Sequence, residues 1–160
     1  MQNHKKVIMG LDLSLSNSGV ALFEPSGNLL SVLSISTSPK EERSERLREI
    51  GQAIIEIKNN YNLFEVAIEQ GFYRYAASTQ TLYQVQGVIL YILHDIPCYF
   101  YAPSTIKKVV TGKGNASKMK VQEMVSEIFP DLVFDDNDQS DAVAIGLAHL
   151  IKTGIIRSPL

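Results

Sequence analysis

The 160-residue chain has only one cysteine, Cys98, which rules out an internal disulfide. A lone thiol fits a reducing cytoplasm, and Cys98 reads as strand core. No apolar run approaches the roughly 20 residues that cross a bilayer, so no membrane partner is expected. The opening Met1-Gln2-Asn3-His4-Lys5-Lys6 lacks the longer apolar stretch and small-residue cleavage site of a secretion signal. Net charge is only -2, so the overall balance does not mark a nucleic-acid binder. There is no internal repeat, low-complexity tract or interdomain linker. Length and ordinary composition predict one domain over residues 1–160 with one sizeable core.

The small net charge hides an uneven distribution. Five lysines lie between Lys107 and Lys120 with no acid among them. Five aspartates lie between Asp131 and Asp141 with no base among them. Either a basic rim adjoins an acidic hole, or two solvated loops carry opposite signs.

The run Val7-Ile8-Met9-Gly10-Leu11-Asp12-Leu13 predicts a strand buried on both faces. Residues 14–19 are small and predict a turn, with a short second strand over 20–24. The turn formers Pro25-Ser26-Gly27-Asn28 return the chain into a third, antiparallel strand over 29–36. Leu47, Ile50, Ile54 and Ile57 predict a helix over 41–60. Residues 64–70 read as a fourth strand. Leu82, Val85, Ile89 and Ile92 line one face of a helix over 78–94. A fifth strand over 98–102 ends at Pro103. After a loop over 111–115, Val121, Met124, Val125 and Ile128 mark a helix over 116–129. The last helix spans 138–152. Strands separated by helical crossovers pair in parallel. The predicted fold is therefore α/β, a mixed five-stranded sheet with helices on both faces, in the ribonuclease H-like order.

Four acids occupy informative places in this order. Asp12 and Glu69 end apolar strands, where an unneutralised carboxylate is costly. Asp138 and Asp141 are three residues apart and share a helix face, continued by Ala142, Ile145 and His149. A helix N-terminus also favours negative charge there. Four carboxylates brought together repel one another and hold protons unless divalent cations intervene. An oxygen-only ligand set suits two Mg²⁺ ions, with Mn²⁺ able to substitute, and phosphodiester hydrolysis. No cysteine or histidine spacing supports zinc, and residues 135–141 lack the glycine and glutamate of an EF-hand. Singly, each acid has a plainer reading: Asp12 as a turn former, Glu69 as an arginine partner, Asp138 as a helix cap.

Basic and aromatic residues flank these acids. Lys107, Lys108, Lys113, Lys118 and Lys120 surround a glycine-containing loop able to approach a phosphate backbone. Phe72, Arg74, Tyr73 and Tyr75 form an aromatic-basic cluster just beyond Glu69, a platform on which unpaired bases stack. Core packing is the alternative for Phe72. On the helix over 78–94, Tyr83, Gln84 and Val88 offer a mixed surface for a two-fold contact.

Three segments in order resemble the RuvC Holliday junction resolvase family. Ala67-Ile68-Glu69-Gln70-Gly71-Phe72 resembles its second motif. Residues 106–118, continued by Val121-Gln122-Glu123-Met124-Val125, resemble its basic loop. Asp138-Gln139-Ser140-Asp141-Ala142-Val143-Ala144-Ile145 resembles its final helix. The resemblance covers nearly the whole chain and is weakest over 24–60. It implies a Mg²⁺-dependent homodimeric endonuclease that nicks four-way DNA junctions in a bacterial cell. It also implies catalytic, metal-binding roles for Asp12, Glu69, Asp138 and Asp141. Lys107 and Lys118 then contact phosphates near the cut, and Phe72 stacks at the crossover. Cellular members usually follow the first aspartate with proline and glycine. Here Asp12-Leu13-Ser14-Leu15-Ser16 is closer to the phage-encoded branch, which implies a broader range of branched DNA. Partnership with a branch-migration motor stays open.

Two other readings of the chain are an RNA-processing nuclease on the same fold and a non-catalytic junction binder. The acids argue against the second, since binding alone gains nothing from them. A two-domain sugar-kinase or actin-like ATPase needs a longer chain.

Overall fold

Residues Lys6–Asp12 form β1, and side-chain alternation along it divides the molecule into two cores. Val7, Met9 and Leu11 enter one apolar cluster, whereas Ile8 enters the other. The same period places Gly10 and Asp12 on the face of Ile8. The computed structural model describes residues 5–71 and 74–158. After β1 come β2 (Asn17–Phe23), β3 (Leu29–Ser36), α1 (Arg43–Asn60) and β4 (Asn62–Glu69). Then follow α2 (Ala76–Ile92), β5 (Cys98–Tyr101), α3 (Pro103–Thr111), α4 (Lys118–Ile128) and α5 (Asn137–Lys152). The strands form one sheet in the order β3-β2-β1-β4-β5. The first three are antiparallel neighbours, and β4 and β5 join in parallel. This is the mixed five-stranded sheet the sequence predicts.

Helices α1 and α2 cover one face through Ile50, Ile54, Ile57, Leu82, Val85 and Ile89. Each such buried side chain contributes about 1.5–3 kcal/mol relative to exposure. Helices α3, α4 and α5 cover the other face, and α5 is buried over most of its length. His149 on α5 is fully buried, with Nδ1 2.6 Å from the Tyr101 hydroxyl and Nε2 2.7 Å from Glu65. These two bonds satisfy a buried ring and tie α5 to β4 and β5. Among the described residues, no helix is long and apolar enough to cross a membrane.

Three details depart from the sequence reading. Residues 103–111 form a helix, α3, which carries Lys107 and Lys108. Pro103 does not merely stop the strand; it occupies the first helical turn, where its missing N–H costs nothing. Strand β2 starts at Asn17, inside the predicted turn, because residues 17–19 pair with Ser34, Ile35 and Ser36 of β3. Cys98 is half-buried and borders the core without being enclosed in it.

Glycines let α5 lie directly on the strands. A Cβ on Gly19 would overlap the carbonyl of Asp138, and one on Gly10 would overlap that of Ala142. Gly19→Ala must therefore push the start of α5 away from the sheet. We expect a clear fall in stability and loss of the site built on that helix turn. Gly87, inside α2, has nothing within 4 Å of its Cβ position. Gly87→Ala is expected to stabilise by about 0.5–1 kcal/mol through helix propensity. Urea denaturation of both variants checks the pair, and a Gly19→Ala protein as stable as wild type would contradict the close packing.

Candidate active site

Asp12 is the last residue of β1, and Glu69 is the last of β4. The parallel ladder pairs Leu11 with Ile68, so the two acids end adjacent strands. Ala67 belongs to the α5 side of the sheet, and the strand period places Glu69 on that side as well. Asp138 and Asp141 descend from the first turns of α5. The cap of this helix is Asp136, whose carboxylate accepts from the Gln139 N–H at 2.9 Å. Asp138 is therefore not the helix cap.

One carboxylate oxygen from each of Asp12, Asp138 and Asp141 lies within 4.8 Å of the others. Glu69 stands beside this trio. It lines a cleft of about 220 Å³ with Lys107, Lys118 and Asp141. The cations acting on it are Lys118 and Lys107, not an arginine.

The electrostatics are those of a cluster short of positive charge. Burial, reinforced by Asp141, Glu69 and Asp138, pushes the Asp12 carboxyl up from 3.8 to about 8. Burial also raises Glu69 and Asp141, with neighbouring acids adding to it. Lys118 opposes this: its ammonium lies 2.7 Å from an Asp141 oxygen, and that bond raises its own pKa. Lys118, with Lys107 acting on Glu69, does not balance four acids. Hard divalent cations fit these donors, which are all oxygens.

These shifts make stability depend on pH. Asp12 holds a proton in the folded chain that it releases near 3.8 when unfolded. The stability linked to that proton is complete below 3.8 and is lost as pH rises through about 8. Glu69 and Asp141 act in the same direction. Metal-free protein should therefore be less stable at pH 8 than at pH 5. Asp12→Asn should reduce that difference. Denaturation at the two pH values checks it, and a wild-type curve that is flat or rises would contradict the cluster.

Of the other predicted residues, Lys107 and Lys118 reach this centre. Lys107 is half-buried on α3 and, with Lys118, borders the cleft. Lys108 is exposed on α3, and Lys113 is exposed in the following turn, where Thr111 Oγ1 accepts from its N–H at 3.2 Å. Lys120 pairs with Glu123 on its own helix at 3.2 Å. Arg74 is exposed ahead of α2. Phe72 lies outside the described residues, as does Tyr73. The sequence reading missed Asn17, Ser34 and Asp136, which bond to one another and to Asp138. Only the capping pattern at Asp136 was visible in advance.

A ribonuclease H-like sheet with converging carboxylates at its strand ends defines a nuclease. The family model described as crossover junction endodeoxyribonuclease RuvC matches residues 8–149. The chain belongs to that family. It is 31% identical to the Rhizobium johnstonii crossover junction endodeoxyribonuclease RuvC, covering 96% of this chain and 94% of that protein. The Methylorubrum extorquens protein of the same name is 32% identical, covering 93% and 82%. Among solved structures, Thermus thermophilus RuvC in complex with Holliday junction substrate superposes with a TM-score of 0.83 at 27% identity, covering 92% and 94%. The yeast mitochondrial Holliday junction resolvase Ydc2 shares the fold, with a TM-score of 0.66 at 12% identity over 94% and 82%.

Proposed function

We propose that this chain is a Mg²⁺-dependent endonuclease that nicks four-way DNA junctions, acting as one nuclease domain in the cytoplasm of a bacterial cell. The carrying observation is the trio Asp12, Asp138 and Asp141, with oxygens within 4.8 Å. Asp12, Glu69, Asp138 and Asp141 would hold the cations. Two Mg²⁺ ions held there, or Mn²⁺ in their place, would supply the positive charge that readies a water and offsets charge on the leaving oxygen.

The chain's own residues do the rest. Asp12 ends β1 paired with Gly19 of β2, so its backbone is held by the ladder. Asp138 and Asp141 are held against it by the close packing of α5. Lys107 and Lys118, at the rim, would take phosphate oxygens on either side of the scissile bond. Lys108, Lys113 and Arg74 extend the positive surface outward, and Lys120 contributes less because Glu123 shares its charge. Phe72 would stack where the junction opens. The Leu13-Ser14 sequence after Asp12 supports a phage-type member with broad acceptance of branched DNA.

The functional unit is a two-fold dimer in this reading. A four-way junction has approximate two-fold symmetry, and resolving it takes two opposed nicks. The apolar groove between α1 and α2, with Leu47, Ile55, Val88 and Tyr91, supports an interface there. Tyr91 is 81% exposed in the single chain. Val88→Glu should shift the protein to monomers in sedimentation at micromolar concentration; an unchanged dimer would move the interface elsewhere.

Substrate class is tested by offering equal concentrations of a synthetic four-way junction, linear duplex and RNA–DNA hybrid with Mg²⁺. Preferential cutting of the junction is expected. Preferential cutting of the hybrid would replace this reading with an RNA-processing one.

A further inference from the structure

We propose that Asn17 is a positioning residue: its carboxamide sets the orientation of the Asp138 carboxylate and through it the affinity of the acid cluster for divalent cations. This rests on the nuclease reading above and adds a residue to it.

Asn17 opens β2 and is held at every polar group. Its N–H donates to Ser14 Oγ at 3.0 Å, and its carbonyl accepts from the same hydroxyl at 2.7 Å. Its Oδ1 accepts from Ser36 Oγ at 2.6 Å, across the ladder from its β3 partner. Its Nδ2 donates to Asp138 Oδ2 at 2.7 Å and to Asp136 Oδ2 at 3.0 Å. An ionised carboxylate can only accept, so the amide must present nitrogen to the two acids and oxygen to the serine.

The second acid makes the arrangement rigid. Asp136 is fixed by three donors: Ser34 Oγ, the Gln139 N–H and the Asn17 amide. Asp136 caps α5 through Oδ1 and accepts from Ser34 Oγ through Oδ2 at 2.7 Å. Gln139 Nε2 closes the network on Ser34 Oγ at 3.1 Å and on Asp135 at 3.2 Å. Asn17 therefore bridges two fixed points, the β3 hydroxyl of Ser36 and the capped start of α5. Asp138 lies at the end of that bridge.

The choice of an amide has chemical meaning. A lysine or arginine here would orient Asp138 equally well but cancel its charge and compete with a divalent cation. The amide orients the carboxylate and leaves its charge in place. Asp141 is treated differently, since Lys118 supplies a full charge from an exposed side chain able to leave. Partners that orient metal ligands from behind typically change metal affinity 10–100-fold when removed.

The test is Asn17→Ala, with Ser36→Ala as a milder variant that removes only the bond to Oδ1. Cation affinity is read without DNA, from the rise in melting temperature as Mg²⁺ or Mn²⁺ is titrated into full-length protein. Nicking of a four-way junction is then followed against Mg²⁺ concentration. For Asn17→Ala we expect the half-saturating cation concentration to rise roughly tenfold in both assays. Nicking at saturating Mg²⁺ should stay within a few-fold of wild type, and metal-free junction binding should not change. Ser36→Ala should move the half-saturation in the same direction by less. If both variants lower the metal-free melting temperature while keeping wild-type half-saturation, Asn17 is merely structural and the proposal is overturned. If wild-type protein shows neither cation-dependent stabilisation nor nicking, the nuclease reading itself fails.

Discussion

Asp12→Asn should abolish nicking of a four-way junction while leaving metal-free binding to that junction intact. We expect a loss of about 10³-fold or more, equivalent to at least about 4 kcal/mol in the barrier. Position is the reason. Asp12 has its carboxylate within 4.8 Å of both Asp138 and Asp141, and its carboxyl carries the largest burden of burial and repulsion. An amide removes one of the anionic ligands and cannot be replaced by movement of α5, because Gly10 and Gly19 already place that helix against strand backbone. Binding survives because the positive charge comes from α3, α4 and the turn between them. The same variant should be more stable than wild type at pH 8 without metal, since it no longer forces a buried carboxylate to ionise. Gel cleavage, gel shift and denaturation together separate these outcomes. Full nicking by the purified variant would remove Asp12 from the site.

The second large effect belongs to the cleft lysines. Changing Lys107 and Lys118 together to alanine should weaken junction binding and flatten its salt dependence. Each phosphate that is no longer neutralised reduces the slope of log affinity against log salt by about 0.9, so the pair should reduce it by about 1.8. Nicking should fall further than binding, because both side chains border the cleft that Glu69 and Asp141 line. Lys120→Ala is the comparison: unlike Lys107 and Lys118 it does not line the cleft, and Glu123, its partner at 3.2 Å, lies outside the acid cluster, so its removal should change the slope by well under about 0.9. A slope change of about 0.9 from Lys120 alone, half that of the pair, would show that the lysines act as a diffuse patch.

The acids were legible in the sequence because each obeys a local rule. Asp12 and Glu69 stand where apolar runs stop, and Asp138 and Asp141 share a helix face by spacing alone. The sheet order followed from turn residues and crossovers in the same way. Other features depend on packing that no local pattern carries. Gly10 and Gly19 look like weak points in strands until α5 is laid across them, although a glycine inside a strand does signal close backbone approach. Helix α3 was hidden because Pro103 ends a strand and starts a helix at once. Asn17 was invisible because its partners Asp136 and Asp138 are 119 and 121 residues away. Its role emerges only from the register that sets Asn17 opposite Ser36.

Supplied with divalent cation, this acid cluster should cut both sides of a four-way junction. This is tested most directly on a supercoiled plasmid that extrudes a cruciform. With Mg²⁺ present, wild-type protein should convert the plasmid to linear molecules by opposed nicks at the cruciform base. Without the cation, or with Asp12→Asn, the plasmid should stay supercoiled. Linear product formed in the absence of any divalent cation, or equal cutting of a plasmid without the cruciform, would contradict the account.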